Sequence, residues 1–209
     1  MRGEKMLELK GKEKVREDRR KHLTHNQLKD FFSAIPPKRF RDSLMFGLML
    51  YFGLRVSELT NIELEDIDFD NYGLVIQGAK GGRKKHYERI DSGLWRKLQK
   101  WIKVRVELEY AKSNSFLFPS KTKYDKPVTE ENVRLLFKKY AKRANLDTKF
   151  SCHSLRFTCG TLNVEAGMGA GELTLWLRHS SAESTTVYYE QAKFQKQPER
   201  VSKVFGKYL

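Results

Sequence analysis

The stretch RDSLMFGLMLYFGLRVSEL, residues 41–59, decides how the rest of the chain is read. From Leu44 to Leu54 it runs apolar for 11 residues. A membrane span needs about 20 such residues, so the run predicts a buried core helix, over about Arg39–Phe52. That helix is apolar nearly all round, which places it at the centre of the fold. Gly53 interrupts it, and a short helix restarts near Arg55–Asn61. A cation, Arg55, therefore stands where a core helix ends.

Working outward, Thr24 and Gln27 have capping-box spacing, with Leu23 and Leu28 as the hydrophobic staple around the cap. A helix through Phe31 and Phe32 follows and ends before Pro36-Pro37. On the other side of the core helix, Leu74-Val75-Ile76 reads as a strand. His86–Ile90 can pair back on it across Gly81-Gly82, giving a hairpin whose tip is Lys80 to Lys85. Helical periodicity resumes at Leu94, Leu98, Trp101 and Ile102, with Ser92 as N-cap. Thr129 caps a further helix, with Glu130 and Glu131 in its first turn and cations toward its end, as the helix dipole favours. Three or four short helices are expected in 151–209. The predicted fold is mainly α with a small antiparallel β-sheet (α+β).

The chain has 209 residues, 41 Lys and Arg against 26 Asp and Glu, and a formal charge of +15. That balance suggests a polyanionic partner without identifying it. With 39% hydrophobic and 12% aromatic residues, most of the chain should fold. Residues 1–22 carry nine Lys and Arg and five Asp and Glu, and read as a basic arm or linker. No secretory h-region is recognisable there. The two cysteines, Cys152 and Cys159, lack metal-site spacing and are too few for a disulfide framework. An intracellular, nucleoid-associated location with no membrane contact is expected.

Several cations and aromatics then stand at punctuated positions. His153 and Arg156 are three apart and share a helix face. His179 closes an amphipathic segment, and Tyr188 and Tyr189 follow nine and ten residues later. Taken singly, each has an ordinary reading as a cap, a core histidine, a core tyrosine or a solvated turn. Taken in order, FGLRVSEL (52–59), HSLRFT (153–158), LRHSS (177–181) and TTVYY (185–189) resemble the motifs of the tyrosine recombinases, or phage integrase family. LTHNQLKDFF (23–32) and NVRLLFKKYAKRANL (132–146) look like that family's opening helix and the helix before its His-x-x-Arg box. The resemblance covers residues 23–192, with 193–209 as a tail.

The resemblance implies a catalytic-domain fold and a reaction on duplex DNA. A tyrosine hydroxyl attacks a phosphodiester, forms a 3′-phosphotyrosyl link and frees a 5′-hydroxyl. Arg55 and Arg156 match the two arginines that hold the nonbridging oxygens, a task suited to bidentate groups charged at any working pH. Lys80 matches the hairpin general acid, with Lys84 or Lys85 as substitutes if the register differs. His153 matches the group that takes the tyrosine proton, and His179 the one that hydrogen-bonds the scissile phosphate. Glu58 matches an acidic position that orients the site. Nine-residue spacing from His179 selects Tyr188; Thr-Thr-x-x-Tyr spacing selects Tyr189, and the ungapped alignment favours Tyr188. Without DNA, the tyrosine is expected to lie away from the phosphate position. Arg83, Lys84, Lys85 and Arg178 are expected to contact DNA, and replacing Arg55 or Arg156 to slow cleavage with little effect on the fold. The resemblance implies no cofactor and no metal.

Two features depart from the family pattern. Arg178 stands where a glycine commonly precedes the second histidine. Relatives often carry an N-terminal DNA-clamping domain that residues 1–22 are too short to form, so the chain reads as a naturally short member or as the catalytic domain of a longer protein. The tail, with Val201, Val204, Phe205 and Tyr208 on one face, is expected to pack in cis or on a neighbouring protomer. A homo-tetramer on DNA, from a protein that is a monomer when free, is the implied assembly. The implied function is site-specific recombination or integration, as in a mobile element. A type IB topoisomerase and a non-catalytic DNA-binding regulator are the alternatives.

Overall fold

Helix α1 (His25–Ser33) opens the folded chain, and its start is built as the sequence predicts: Gln27 N donates to Thr24 Oγ1 and Thr24 N to Gln27 Oε1. In the computed structural model, residues 22–78, 82–179 and 184–189 are described. The expected arm, except for His22, the part of the hairpin tip at 79–81 that holds Lys80, and the tail 193–209 lie outside the described residues, whereas 82–85, expected in the tip, run in a strand.

Helix α2 (Phe40–Phe52) is the central element, and the short α3 (Val56–Thr60) follows it. Three antiparallel strands come next, β1 (Ile67–Asp68), β2 (Gly73–Gly78) and β3 (Gly82–Arg89), in the order β1-β2-β3. Leu74 pairs with Glu88 and Ile76 with His86, so the predicted hairpin is present. The two-residue β1 was not foreseen, because so short a strand leaves no alternation to read. The remaining elements are α4 (Ser92–Val106), α5 (Glu130–Arg143), α6 (Cys152–Glu165), α7 (Ala170–Trp176) and α8 (184–189). Helix α6 is longer than the short helices expected in that region, at 14 residues.

One cap differs from expectation. Asp91, not Ser92, caps α4: its carboxylate accepts from Gly93 N at 2.8 Å and Leu94 N at 2.9 Å. A carboxylate reaching two free N–H groups also suits the helix dipole.

The burial of most of α2 follows from its composition, although Tyr51 on one side is 38% exposed. Leu44, Met45, Phe46, Leu48, Met49 and Phe52 are fully buried, and the helix packs on both α4 and α6. Phe31 of α1, Phe46 of α2 and Phe137 of α5 form an aromatic triangle with centroids 4.9–6.0 Å apart. Leu23 N donates to Thr158 Oγ1 at 2.8 Å, tying the entry to α1 onto α6. Cys152 and Cys159 are free, and burial pushes their thiols up to about 12 and about 11. No helix among the described residues is long and apolar enough to cross a membrane.

The turn out of α2 positions everything that follows. Gly53 adopts φ +58°, left-handed, and a Cβ there would lie 2.5 Å from Leu177 Cδ2 and 3.3 Å from Cys159 Sγ. Gly53→Ala therefore meets both backbone strain and overpacking. It should destabilise the protein by about 2 kcal/mol or more, read as a lower urea midpoint; an unchanged midpoint would contradict this account of the turn.

Candidate active site

The left-handed turn at Gly53 lets the chain re-enter a helix at once, with Arg55 as N-cap of α3. Three residues on, Glu58 folds back. It accepts from Arg55 N at 2.8 Å through Oε2 and from Arg55 Nη1 at 2.6 Å through Oε1. The Arg-x-x-Glu spacing is thus a cap in which a carboxylate holds both the amide and the side chain of the arginine. Glu58 is buried, whereas the Arg55 side chain remains 36% exposed.

Two more guanidiniums reach the same carboxylate from distant elements. Arg156, on α6, is 1% exposed; its Nη1 donates to Gly53 O and its Nη2 to Leu177 O. It lies 3.7 Å from Glu58 Oε2. Arg178, just after α7, approaches that oxygen to 3.1 Å and also donates to Phe52 O at 3.0 Å and Trp176 O at 2.7 Å. Desolvation would raise the Glu58 carboxyl, but Arg178, the Arg55 amide and Arg156 outweigh it and hold the group below its ordinary value. Burial, then the neighbouring Arg55, brings Arg156 down to about 10, so it stays charged at neutral pH.

Arg178 corrects an expectation. Its side chain is 3% exposed, and its guanidinium faces inward onto Glu58 and backbone carbonyls rather than out toward DNA. Its backbone sits at φ +54°. That conformation explains why glycine suits this position, since glycine enters the left-handed region without a Cβ penalty. The expectation that Arg156 could be removed with little effect on the fold is also revised. Arg156→Ala would take from Leu177 O its guanidinium donor and leave Gly53 O only the longer contact from Arg178, in a buried setting.

His179 follows Arg178 and is held by a hydroxyl chain that sequence reasoning missed. Its Nδ1 is 3.0 Å from Thr185 Oγ1, which is 2.9 Å from Thr174 Oγ1, and Thr174 Oγ1 donates to Ala170 O at 2.7 Å. Thr174 has spent its only proton, so Thr185 must donate to Thr174. Thr185 then accepts from His179 Nδ1–H, which leaves Nε2 as the free acceptor of the neutral ring. Burial, and then Arg156, Arg55, Arg178 and His153, lower His179 to about 4. Thr185 lies in the TTVYY stretch, but nothing in the sequence ties its hydroxyl to His179, which is why that contact was not foreseen.

The two tyrosines of α8 diverge, as adjacent helical side chains must. Tyr188 is 3% exposed, with its ring 4.8 Å from that of Phe157 and 5.9 Å from that of His179. Gly160 makes room for it: a Cβ there would fall 2.4 Å from the Tyr188 ring. Tyr189 turns the other way and donates to Met168 O. His153 is exposed on α6, one turn before Arg156, and lines a cleft with Arg55, Ser151 and Arg134. Arg134, ion-paired with Glu130, was not singled out from sequence, where it is one cation among many. Lys80 lies outside the described residues, as do the side chains of Arg83, Lys84 and Lys85 on β3. Among the described residues no three His, Cys, Asp or Glu side chains converge as a metal site.

The fold is that of a tyrosine recombinase catalytic domain. The solved XerH site-specific recombinase bound to palindromic difH substrate superposes with TM-score 0.73 at 20% identity, over 88% of this chain and 53% of that one. The XerA recombinase structure gives 0.72 at 20% identity, over 85% and 65%. Residues 21–195 match the Phage integrase family, and the chain belongs to that family. Tyrosine recombinase XerA of Pyrococcus furiosus is 30% identical over 169 residues, 80% of this chain and 56% of that protein. Tyrosine recombinase XerC of Caldanaerobacter subterraneus subsp. tengcongensis is 35% identical over 170 residues, 80% of this chain and 46% of that protein. The chain spans about half the length of these curated relatives.

Two expectations follow from this geometry. The folded-state value of His179, about 4, lies below its ordinary 6.5, so the unfolded chain binds more protons between them. The stability His179 contributes is complete above that window and is lost as the pH falls through it. Acid unfolding by circular dichroism should show this slope, and His179→Gln should flatten it; an equal slope in the variant would contradict the assignment. Gly160→Ala should expel the Tyr188 ring and speed amide hydrogen exchange across 184–189, whereas unchanged exchange would mean that Gly160 is not the seat.

Proposed function

We propose that this chain is the strand-cleaving domain of a site-specific DNA recombinase, working inside the cell on duplex DNA. The observation that carries the reading is the gathering of Arg55, Arg156 and Arg178 about one buried carboxylate, with His179 directly after Arg178 and the Tyr188 ring packed beside His179. Two guanidiniums suit the nonbridging oxygens of a phosphodiester, whose negative charge grows in the transition state.

In the proposed step, Tyr188 Oη attacks phosphorus and its proton passes to His153. The new bond is Oη–P, and the bond to the 5′-oxygen breaks. That oxygen takes a proton from Lys80 and leaves as a 5′-hydroxyl. Arg55 and Arg156 hold the nonbridging oxygens, and His179 supports the phosphate. The phosphodiester energy is conserved in the phosphotyrosyl bond, so an incoming 5′-hydroxyl can reverse the step on a partner strand without ATP. The direction of the tyrosines supports Tyr188 over Tyr189, because Tyr188 faces His179 and Tyr189 is engaged at Met168. Its burial implies that α8 must shift when DNA binds. The reading takes double-stranded DNA as partner and a homo-tetramer as the exchanging assembly. Binding should weaken with log salt by roughly 0.9 per phosphate neutralised.

The test is covalent capture. Fragmented genomic DNA from the source organism is incubated with the protein, stopped with SDS, and the protein-linked fragments are recovered and sequenced. Wild type and Tyr189→Phe should form the adduct and Tyr188→Phe should not. Recurrent fragments would mark a recombinase, and random ones a topoisomerase. No adduct from wild type under binding conditions would overturn the proposal. On a recovered site, Arg55→Ala should slow cleavage by about 10²–10³-fold, and a wild-type rate would remove Arg55 from the mechanism.

A further inference from the structure

Arg178 adds a third guanidinium to the site, and its placement is specific. Glu58 Oε1 is taken by Arg55 Nη1 at 2.6 Å. Its Oε2 accepts from the Arg55 amide at 2.8 Å and from Arg178 Nη2 at 3.1 Å. Arg156 Nη1 stands back from that same oxygen at 3.7 Å, beyond hydrogen-bond reach, and donates to Gly53 O instead. Arg178 is also tied to the remaining parts of the site. Its carbonyl accepts from Arg55 Nη2 at 3.4 Å, and it directly precedes His179. It holds this place with a backbone φ of +54°, a conformation that disfavours any side chain with a Cβ.

Charge bookkeeping shows what this arrangement does. Arg55, Arg156 and Glu58 alone would sum to one net positive charge, with the carboxylate free to draw Arg156 from 3.7 Å into a direct hydrogen bond. With Arg178 the sum is two. We infer that Arg178 is a positioning residue that occupies Glu58 and thereby keeps Arg55 and Arg156 available, as charges and as donors, for the scissile phosphate. A residue that only stapled the turn would act through its contacts with Phe52 O and Trp176 O, and its charge would not matter. The inference rests on the strand-transfer reading of the same site.

The two roles separate by substitution. Arg178→Met keeps an unbranched stem and the backbone strain and removes the charge. Arg178→Lys keeps the charge and loses the planar fork that serves several carbonyls. On a duplex recovered by covalent capture, Arg178→Met should lower the single-turnover cleavage rate at saturating protein by roughly 10- to 100-fold, the worth of a charge-assisted hydrogen bond. DNA affinity should change far less. Arg178→Lys should recover most of the rate, and Glu58→Gln in the Arg178→Met background should recover part of it by removing the charge that would draw Arg156. If Arg178→Met does not fold, Arg178→Gly, free of strain at this φ, takes its place. A wild-type rate in the uncharged variant, or an equal loss in Arg178→Lys, would overturn the inference while leaving the strand-transfer reading intact. Absence of any adduct from wild type would instead overturn that reading, and this inference with it.

Discussion

The buried carboxylate of Glu58 is the constraint on which the site depends. Taking one carboxylate out of water costs several kcal/mol unless it is fully paired. Here Arg55, through its amide and its side chain, and Arg178 supply the hydrogen bonds, and Arg156 adds its charge from 3.7 Å. The dependence runs both ways, because guanidiniums this close repel one another unless an anion sits among them. Arg55 belongs to α3, Arg156 to α6 and Arg178 to the turn after α7. The charge cluster therefore forms only when these elements have docked, and the assembly of the site is the assembly of this part of the fold.

The C-terminal end of α2 supplies the rest of the support. Helix ends expose carbonyls and partial negative charge, which favour cations. Phe52 O and Gly53 O accept from Arg178, and Gly53 O from Arg156. The left-handed turn at Gly53 makes those carbonyls available and at the same time releases the chain to place Arg55. His179 is tethered through Thr185 on α8, the helix that also carries Tyr188. A movement of α8 would thus reposition the histidine contact and the tyrosine together.

Much of this was legible in the residues, for identifiable reasons. The core helix, the capping boxes and the hairpin follow from local periodicity and local hydrogen bonding, which need no partner. The Arg55–Glu58 pairing is visible because both belong to one helical turn. Arg178 was misread because its surroundings come from α2 and α3, more than a hundred residues away, and a positive φ leaves no mark on a non-glycine sequence. The contacts of Thr185 were missed because its partners, His179 and Thr174, stand six and eleven residues before it, outside any single helical turn. Asp91 displaced Ser92 as a cap because two adjacent residues both had suitable side chains, and only geometry chooses between them.

The most direct test of the central claim is a crystal structure of the Tyr188→Phe protein bound to a duplex carrying its cleavage site. The account predicts the scissile phosphate between Arg55 and Arg156, Glu58 still paired with Arg178, and the ring at position 188 withdrawn from its seat against Gly160 and turned toward phosphorus. A phosphate bound without contact to both arginines, or a Glu58 carboxylate that has exchanged Arg178 for Arg156, would contradict it.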